Sequence, residues 1–191
     1  MENVANFDQI IAGRLKELRT DQGLTLDALA ELSGVSRAMI SRVERAEASP
    51  TAALLARLCA ALGVSLSVFF EGSAGTPSPL ARRAEQPVWQ DPESGYRRRV
   101  VSPPGMGARV DIVEVEFPPG AVVAFGDQPP GRNQSQHVWV FDGEMELTVG
   151  ETVHRLRPGD CLFMRIDAVH GFRNPTDKPA RYGVIIDLGS R

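Results

Sequence analysis

Apolar residues recur every three or four positions in the first third of the chain. This spacing places them on one face of a helix, so it predicts a bundle of short amphipathic helices. Five helices are predicted, with apolar positions Ile11, Leu15 and Leu18 in the first; Leu26, Leu29 and Ala30 in the second; Ile40 and Val43 in the third; Leu54, Leu55, Leu58 and Leu62 in the fourth; and Val68, Phe69 and Phe70 in the fifth.

Glycines and hydroxyl residues separate these patterns. Glycine is expected at the ends of three helices, at Gly23, Gly34 and Gly63, because it adopts the left-handed backbone that closes a helix. A hydroxyl side chain accepts a hydrogen bond from the first helical turn, so it is expected where a helix begins. The predicted N-terminal caps are Thr25, Ser36, Ser65 and the run Ser49-Pro50-Thr51.

The pattern changes after the helices. Residues 72–95 are rich in Gly, Pro and Ser and are predicted to form a linker. From about Tyr96, apolar and polar residues alternate, as in 110–117 and 144–149, which is the period of a half-buried strand. Many short strands separated by turns indicate an antiparallel barrel or sandwich. The predicted fold class is therefore two-domain, α plus all-β, with helices over 1–71 and strands over 96–191.

Composition suits this division. A length of 191 residues, 42% hydrophobic and 24% charged, is ordinary for a soluble chain of two compact domains. The N-terminus has no basic region and no apolar run, and no stretch is long enough for a membrane helix. We therefore expect a cytoplasmic protein. Cys59 and Cys161 fall in different halves, and we expect two reduced, mostly packed thiols.

The net charge of −3 is not that of a strongly basic protein. Residues 1–72 carry 7 basic and 9 acidic side chains, a difference of −2, and residues 105–191 carry 9 and 12, a difference of −3. The segment between them carries 5 and 3, a difference of +2. Any contact with nucleic acid must therefore come from a local patch.

Residues 25–44 combine two predicted helices with a tight turn at Gly34. Their apolar faces would pack through Leu29, Ala30, Val35, Ile40 and Val43. The third helix would then expose Ser36, Arg37, Ala38, Ser41, Arg42 and Arg45. Residues 37, 41 and 45 form one i, i+4, i+8 row, and the major groove of DNA admits one helix of this width.

This stretch resembles the phage-repressor-like helix-turn-helix family, the xenobiotic-response-element (XRE) type, over roughly residues 9–71. The resemblance rests on the glycine turn, the five-helix spacing and the ending Ala61-Leu62-Gly63-Val64-Ser65. It implies that the third helix contacts bases through Arg37, Ala38 and, one turn on, Arg42. It also implies a structural ion pair between Arg19 and Glu44.

The residue types at these positions suit DNA. An arginine can bind a guanine bidentately, whereas Ala38 can only touch a thymine methyl. Thr25 and Ser36, at helix N-termini, are expected to meet phosphates through backbone N–H groups, and Arg45 and Ser49 are weaker phosphate candidates. The alternative is a merely solvated helix face, which the complete scaffold disfavours. The predicted partner is double-stranded operator DNA with an inverted repeat.

The C-terminal half resembles the cupin family over roughly residues 105–188. The resemblance rests on the stretch 136–147 with Gly143, on the turn Pro158-Gly159-Asp160, and on His170 and Asn174 beyond it. It implies an antiparallel β-barrel of the jelly-roll type.

Metal-binding cupins use a His-x-His unit, a glutamate a few residues on and a later histidine, all pointing into the barrel. Here the glutamate position falls on Gln136, the paired histidine positions fall near Pro130 and Arg132, and His137 is odd in register. Only His170 matches a ligand. Because one good ligand of four does not hold a transition metal, we predict no metal, no cofactor and no enzymatic activity.

A barrel without a metal can still hold a ligand in its interior. An arginine at its mouth would favour an anionic small molecule, such as a carboxylate. The alternative is that the apolar members are only core and that His170 is a hydrogen-bonded core histidine. The candidate lining is Gln136, Val138, Val140, His170 and Phe172, with Phe125, Arg132 and Arg165 as further candidates.

Trp139 and Phe141 alternate with the inward positions, so they are expected on the outer face, where a large apolar pair indicates sheet packing or a dimer interface. Together these features predict a homodimeric, DNA-binding transcriptional regulator whose barrel senses a small molecule. Two alternatives stay open. One is a metal-dependent oxygenase or epoxidase of the cupin type, which the missing ligands disfavour, and the other is a barrel that only dimerises.

Overall fold

The N-terminal part consists of five helices, as the sequence predicts. The computed structural model describes residues 2–64, 66–71, 78–103, 105–126, 134–166 and 169–189. None of the helices in these ranges is both long and apolar enough to cross a membrane. The helices are α1 (Glu2–Asp21), α2 (Leu26–Ser33), α3 (Arg37–Glu44), α4 (Ala52–Ala61) and α5 (Leu66–Glu71).

Hydroxyl side chains begin three of these helices. Thr25, Ser36 and Thr51 each accept a hydrogen bond from the backbone N–H three residues on, at 3.1, 3.3 and 3.2 Å. Gly34 ends α2 in the left-handed conformation, with φ 63°. Each such N-cap contributes about 1 kcal/mol, so the local sequence is enough to fix where these helices begin. The predicted cap at Ser65 lies outside the described residues.

The helices bury the face that the apolar spacing predicts. Because Ile40 is fully buried, its truncation to alanine would cost about 2–5 kcal/mol. Ala30 is only partly buried, but it packs against the same core. The buried positions include Ile11, Leu15, Leu29, Val35, Ile40, Val43, Leu55 and Leu58.

In the described ranges, ten strands form two antiparallel sheets. The first sheet has the order β1-β2-β3-β10-β5-β8 and the second β4-β9-β6-β7. The strands are β1 (Val88–Gln90), β2 (Arg97–Val100), β3 (Val110–Phe117), β4 (Val122–Phe125), β5 (Ser135–Asp142), β6 (Met145–Val149), β7 (Thr152–Leu156), β8 (Cys161–Arg165), β9 (His170–Arg173) and β10 (Ala180–Asp187).

The two sheets pack through aromatic rings. Phe172 of β9 stacks on Tyr182 of β10 with ring centroids 5.9 Å apart, and Phe117 of β3 meets the same tyrosine edge-on at 6.2 Å. These contacts bring the inner face of the four-stranded sheet against that of the six-stranded sheet. The all-β second domain is thus confirmed, while its closure into a barrel stays a prediction.

Gly143 makes the turn between β5 and β6. Its φ is 75°, and a Cβ at this position would lie 2.5 Å from the Pro179 carbonyl oxygen and 2.7 Å from Ala180 Cα. No side chain fits there without moving backbone, so the turn requires glycine.

The segment predicted as a linker contains a strand. In β1, Trp89 is buried and lies opposite Arg98 of β2. Pro87 and Pro92 make this stretch look like a loop in the sequence, although the prolines flank the strand rather than interrupt it. Residues 88–90 therefore belong to the six-stranded sheet, and the predicted boundary near residue 95 falls inside the β1–β2 hairpin.

The helices and the sheets share one core. Phe70 of α5 contacts Trp89 of β1 with ring centroids 6.0 Å apart, and Phe7 of α1 contacts the same phenylalanine at 5.5 Å. Cys59 of α4 is buried in this core, and burial raises the pKa of its thiol. Cys161 is exposed, so the expectation of packed thiols is correct for Cys59 only.

Candidate nucleic-acid interface and inner face of the sheets

The turn between α2 and α3 is held from three directions. The Gly34 N–H donates to the Ala30 carbonyl at 2.9 Å, and the Val35 N–H donates to Ser33 Oγ at 3.2 Å. From α4, Arg57 donates to the Ser33 carbonyl at 3.1 Å and also to the Gly34 carbonyl. The turn therefore fixes the direction in which α3 leaves α2.

The outward side of α3 carries the predicted polar row. The structure brings these residues together on one surface of the helical domain, where Ile40 and Val43 are buried behind them. Ser41 is half-buried, and the others are exposed: Ser36, Arg37, Ala38, Arg42 and Arg45 on α3 and its ends, and Thr25 at the start of α2. We call this set of seven the recognition surface.

Acidic residues offset part of its charge. Arg37 Nε lies 3.2 Å from an Asp27 carboxylate oxygen, and both side chains are exposed. Arg45 donates two hydrogen bonds to Glu47, each 2.7 Å, and a further one to Ser41. These hydrogen bonds raise the pKa of Arg45 and lower that of Glu47.

Arg42 differs from its two neighbours. It makes no ion pair within 4.0 Å with any residue in the described ranges, although its charge helps to lower the pKa of Glu47. The three arginines of the recognition surface and the two carboxylates paired with them, Asp27 and Glu47, have a net charge of +1. The local positive patch that the sequence predicts is present, and it is weak.

The predicted ion pair at the end of α3 is confirmed. Arg19 donates to both carboxylate oxygens of Glu44, at 2.6 and 2.8 Å, and to the Leu24 carbonyl at 2.8 Å. These hydrogen bonds raise the pKa of Arg19 although burial opposes the shift. Glu44 is thereby paired within the fold and does not offset the arginines of the recognition surface.

In the sheets, β5 presents its predicted inward residues. Gln136, Val138 and Val140 are buried, while His137 and Trp139 between them are exposed. The Gln136 amide lies 3.4 Å from the Met164 sulfur on β8, with its Nε2 as donor. The alternation expected from the sequence is thus observed on this strand.

Three further predicted lining residues meet on the opposite sheet. His170 stacks on Phe125 with ring centroids 5.1 Å apart, and Phe172 contacts both rings at 5.9 and 6.0 Å. His170 and Phe172 are buried, and Phe125 is partly buried. Because Phe172 stacks on Tyr182, which pairs with Val140, this cluster faces the inner side of β5.

Of the two predicted arginines, the one that the structure describes, Arg165, does not join this lining. Arg165 is exposed and lies opposite Ser135, on the side of β8 away from the buried Met164. The prediction that Arg165 lines the inner face is therefore wrong. The physical reason is the strand period of two, which puts residues 164 and 165 on opposite faces. Arg132 lies outside the described residues.

Comparison with known proteins matches both halves. The helix-turn-helix family model matches residues 15–69, and the cupin domain model matches residues 113–187. The HTH-type transcriptional regulator SutR of Escherichia coli (strain K12) is 28% identical over 97% of this chain and 97% of its own length. The HTH-type transcriptional regulator PuuR of the same organism is 26% identical over 84% of this chain and 85% of its own length.

A solved structure is similar to this chain over both domains. The crystal structure of an HTH_3 family transcriptional regulator from Vibrio cholerae superimposes with a TM-score of 0.78 and 27% identity, over 97% of this chain and 99% of that one. The chain therefore combines a helix-turn-helix region with a C-terminal cupin domain, and over nearly its whole length it is similar to an HTH-type transcriptional regulator. It has both parts in the order that the sequence predicts.

The inner face of the cupin domain holds a carboxylate that the sequence interpretation missed. Asp111 of β3 is buried and lies opposite Ile186, which lies opposite Gln136 on the other side. Its burial could have been predicted from the strand period, since Asp111 is two and four residues from the buried Val113 and Val115 and so lies on the same face. In a half-buried strand the polar residues usually lie on the outer face, and Asp111 is an exception.

The metal ligands expected of a metal-binding cupin are not assembled in the described ranges. Those ranges contain no group of three or more His, Cys, Asp or Glu side chains that could hold a metal ion. The positions near Pro130 and Arg132 lie outside them, so the absence of a metal stays a prediction.

The outer face of the six-stranded sheet exposes apolar side chains. Trp139 is 49% exposed and Phe163 is 59% exposed, while Phe141 is partly covered by the Arg181 guanidinium, 5.4 Å from its ring centroid. His137, two residues before Trp139 on β5, lies opposite Phe163 of β8 and contacts its ring at 5.1 Å. We call Ile112, His137, Trp139, Phe163 and Ile185, which adjoin through the strand register, the outer patch.

Proposed function

We propose that this regulator binds operator DNA as a homodimer, with α3 in the major groove, and that its cupin domain binds a small-molecule effector. The observation that carries the proposal is the recognition surface, where Arg37 and Arg42 project from a helix whose other side is fully packed. Packing, caps and the Arg19–Glu44 pair hold this helix in one orientation. A helix held in one orientation presents these guanidinium groups to one side, which bidentate base recognition requires.

The residues divide into base contacts and backbone contacts. Arg37 and Arg42 bind guanine edges, and Ala38 contacts a thymine methyl. Thr25 and Ser36 begin α2 and α3, so the N–H groups of these first turns bind phosphates. Ser41 and Arg45 lie on the same row and approach the DNA backbone.

When DNA binds, the arginines of the recognition surface exchange their carboxylate partners for DNA groups. Phosphates and bases must displace Asp27 from Arg37 and Glu47 from Arg45, since both pairs are exposed and weak. The net charge of this surface is small, so affinity is modest and falls as salt is raised.

The outer patch supports a second copy of the chain as the dimer partner. Monomers rarely leave contiguous aromatic and aliphatic side chains in solvent, whereas a two-fold interface buries such a patch against itself. A dimer formed through the cupin domains would place two α3 helices about 34 Å apart, one turn of DNA. Such a regulator acts in the cytoplasm, where its operator lies.

The inner face of the cupin domain supports effector binding. His170, Phe125 and Phe172 form an aromatic cluster, and Gln136 faces it from the other sheet, so a small molecule would find apolar surface and few polar groups. Arg165 cannot bind an anionic effector there, because it lies on the outer face. Effector binding then changes operator affinity, and by linkage the operator changes effector affinity equally.

The curated relatives are named as transcriptional regulators, which favours a protein that is not an enzyme. A thermal-shift screen with carboxylates, amino acids and amines distinguishes a sensing domain from one that only dimerises, because a bound effector raises apparent stability by mass action.

Selection from a random duplex pool tests the DNA-binding part directly. Full-length protein should enrich an inverted repeat whose half-site centres lie about 10 base pairs, or a multiple of this spacing, apart. Recovery of unrelated sequences with no common motif would contradict the proposal.

A further inference from the structure

A buried carboxylate joins the cupin domain to the helical domain. Asp91 lies in the turn that follows β1 and is 2% exposed. Its Oδ1 accepts a hydrogen bond from the Ala52 N–H, the first residue of α4, at 2.8 Å. Its Oδ2 accepts hydrogen bonds from the Ser94 N–H at 2.8 Å and from the Ser94 hydroxyl at 2.5 Å.

The turn that carries Asp91 is itself well defined. The Asp91 N–H donates to the Tyr96 carbonyl and the Gly95 N–H donates to the Asp91 carbonyl, both at 2.9 Å. Gly95 has φ 73°, which suits glycine in a tight turn. The carboxylate therefore approaches α4 from a fixed turn of the β1–β2 hairpin.

The same helix holds the turn before the recognition helix. About one and a half turns of α4 separate Ala52 from Arg57. The Arg57 guanidinium donates to the carbonyls of Ser33 and Gly34. A Cβ on Gly34 would lie 2.7 Å from Arg57 Nη2, so the arginine lies directly against this turn. One rigid helix thus connects Asp91 with the start of α3.

Aromatic packing surrounds this connection. Trp89 of β1 contacts Phe70 of α5, and the Arg98 guanidinium lies 5.1 Å from the centroid of the same phenylalanine ring. Trp89 also meets Tyr96 edge-on at 5.6 Å, which continues the contact into the cupin domain. The apolar contacts bind the two domains together, and Asp91 supplies the directional bond.

We propose that Asp91 is a positioning residue for operator recognition, which fixes the recognition helix relative to the cupin domain through α4 and Arg57. The inference rests on the proposed function, because it concerns a dimer whose cupin domains hold two helical domains. Two α3 helices keep one spacing only if each helical domain is fixed on its own cupin domain. Asp91 therefore determines the selectivity for half-site spacing, while each half-site is still recognised by α3 alone.

Three duplexes separate these roles: the selected operator, the same operator with extra base pairs between its half-sites, and a single half-site. Asp91→Ala should weaken binding to the intact operator about tenfold or more, because tethering no longer favours the second half-site. Binding to the single half-site should stay as in the wild type, and the preference for the native spacing should shrink. Asp91→Asn keeps an oxygen acceptor for the Ala52 N–H, but its amide nitrogen cannot accept from the Ser94 N–H. It should therefore restore part of the preference.

Two variants serve as controls. Glu93→Ala changes an exposed carboxylate of the same turn and should leave all three affinities unchanged. Arg57→Ala removes the support of the α2–α3 turn itself and should weaken binding to the single half-site as well as to the operator. Asp91→Ala should thus affect only the intact operator, whereas Arg57→Ala should affect both the operator and the single half-site.

If Asp91→Ala does not fold, hydrogen exchange of the wild-type protein decides instead. The Ala52 amide should be as strongly protected as the core of α4, and exchange as fast as a frayed helix end would overturn the proposal. A folded Asp91→Ala that keeps the full spacing preference would overturn it too. A wild-type protein with no sequence preference at all would instead refute the proposed function.

Discussion

Arg19 on α1 donates hydrogen bonds to both carboxylate oxygens of Glu44, the last residue of α3, at 2.6 and 2.8 Å. The two side chains are 12% and 7% exposed, so the pair is largely removed from water. It fixes the C-terminal end of the recognition helix on α1, while Arg57 holds the turn at the other end. Both ends of α3 are therefore anchored by arginines that lie outside it.

Substitution of Arg19 should lower the free energy of unfolding far more than substitution of an exposed arginine. Arg19→Ala leaves the Glu44 carboxylate buried without its partner and should lower the free energy of unfolding by about 3 kcal/mol in a urea titration. Arg155→Ala breaks an exposed pair with Glu146 on the four-stranded sheet and should cost at most about 1 kcal/mol. Equal, small losses for both variants would show that the Arg19–Glu44 pair does not anchor α3.

The outer patch should control the oligomeric state. Trp139→Glu places a charge in the proposed interface and should convert the dimer into a monomer in sedimentation velocity. Val153→Glu is the matched control, since Val153 is 59% exposed on the other sheet. A dimer that persists in the Trp139 variant would place the interface elsewhere.

The two tyrosines of the chain, Tyr96 and Tyr182, should resist titration. Burial raises the pKa of Tyr96 to about 12 and raises that of Tyr182 well above its usual value. A folded-state pKa above the unfolded value of about 10 means that stability is full below pH 10 and falls as pH rises toward 12. Ultraviolet absorbance of tyrosinate should therefore appear together with unfolding rather than before it.

Tyr96→Phe checks the sign of this effect. The variant should lose less stability between neutral and alkaline pH than the wild type, because one of the two groups that must be neutral in the fold is gone. Tyrosinate absorbance that rises near pH 10 in a fully folded protein would contradict the burial of these side chains.

The helical domain could be predicted closely because its signals are local. Thr25, Ser36 and Gly34 each act within a few residues of their own position, through caps and backbone conformation. The spacing of Ile40 and Val43 likewise determines which side of α3 is left exposed. The Arg19–Glu44 pair was inferred from family resemblance, and the structure confirms it.

The sheets were predicted less completely because their contacts are long-range. Arg165 was assigned to the inner face, although the parity of β8 places it with the exposed Phe163. β1 was not predicted, because Pro87 and Pro92 on either side of it are typical of a loop. The contact between Asp91 and Ala52 joins residues 39 positions apart. A spacing pattern along the chain carries no information about which distant N–H a carboxylate will meet.

Removal of metal ions should change neither DNA binding nor stability. Dialysis of the purified protein against a chelator should leave both operator affinity and melting temperature unchanged, because His170 alone matches one of the four cupin ligand positions. Elemental analysis is the companion measurement. Stoichiometric iron or another transition metal, lost together with stability, would favour the oxygenase alternative.

The most direct test measures operator specificity in the recognition-helix variants. The ratio of affinity for the selected operator to affinity for a shuffled duplex is determined at one salt concentration for the wild type, Arg37→Ala, Arg42→Ala and the exposed control Arg155→Ala. Each of the first two variants should lose about 1–3 kcal/mol on the operator and little on the shuffled duplex. Arg155→Ala should behave as the wild type. Unchanged specificity in both Arg37→Ala and Arg42→Ala would contradict the assignment of α3 as the recognition helix.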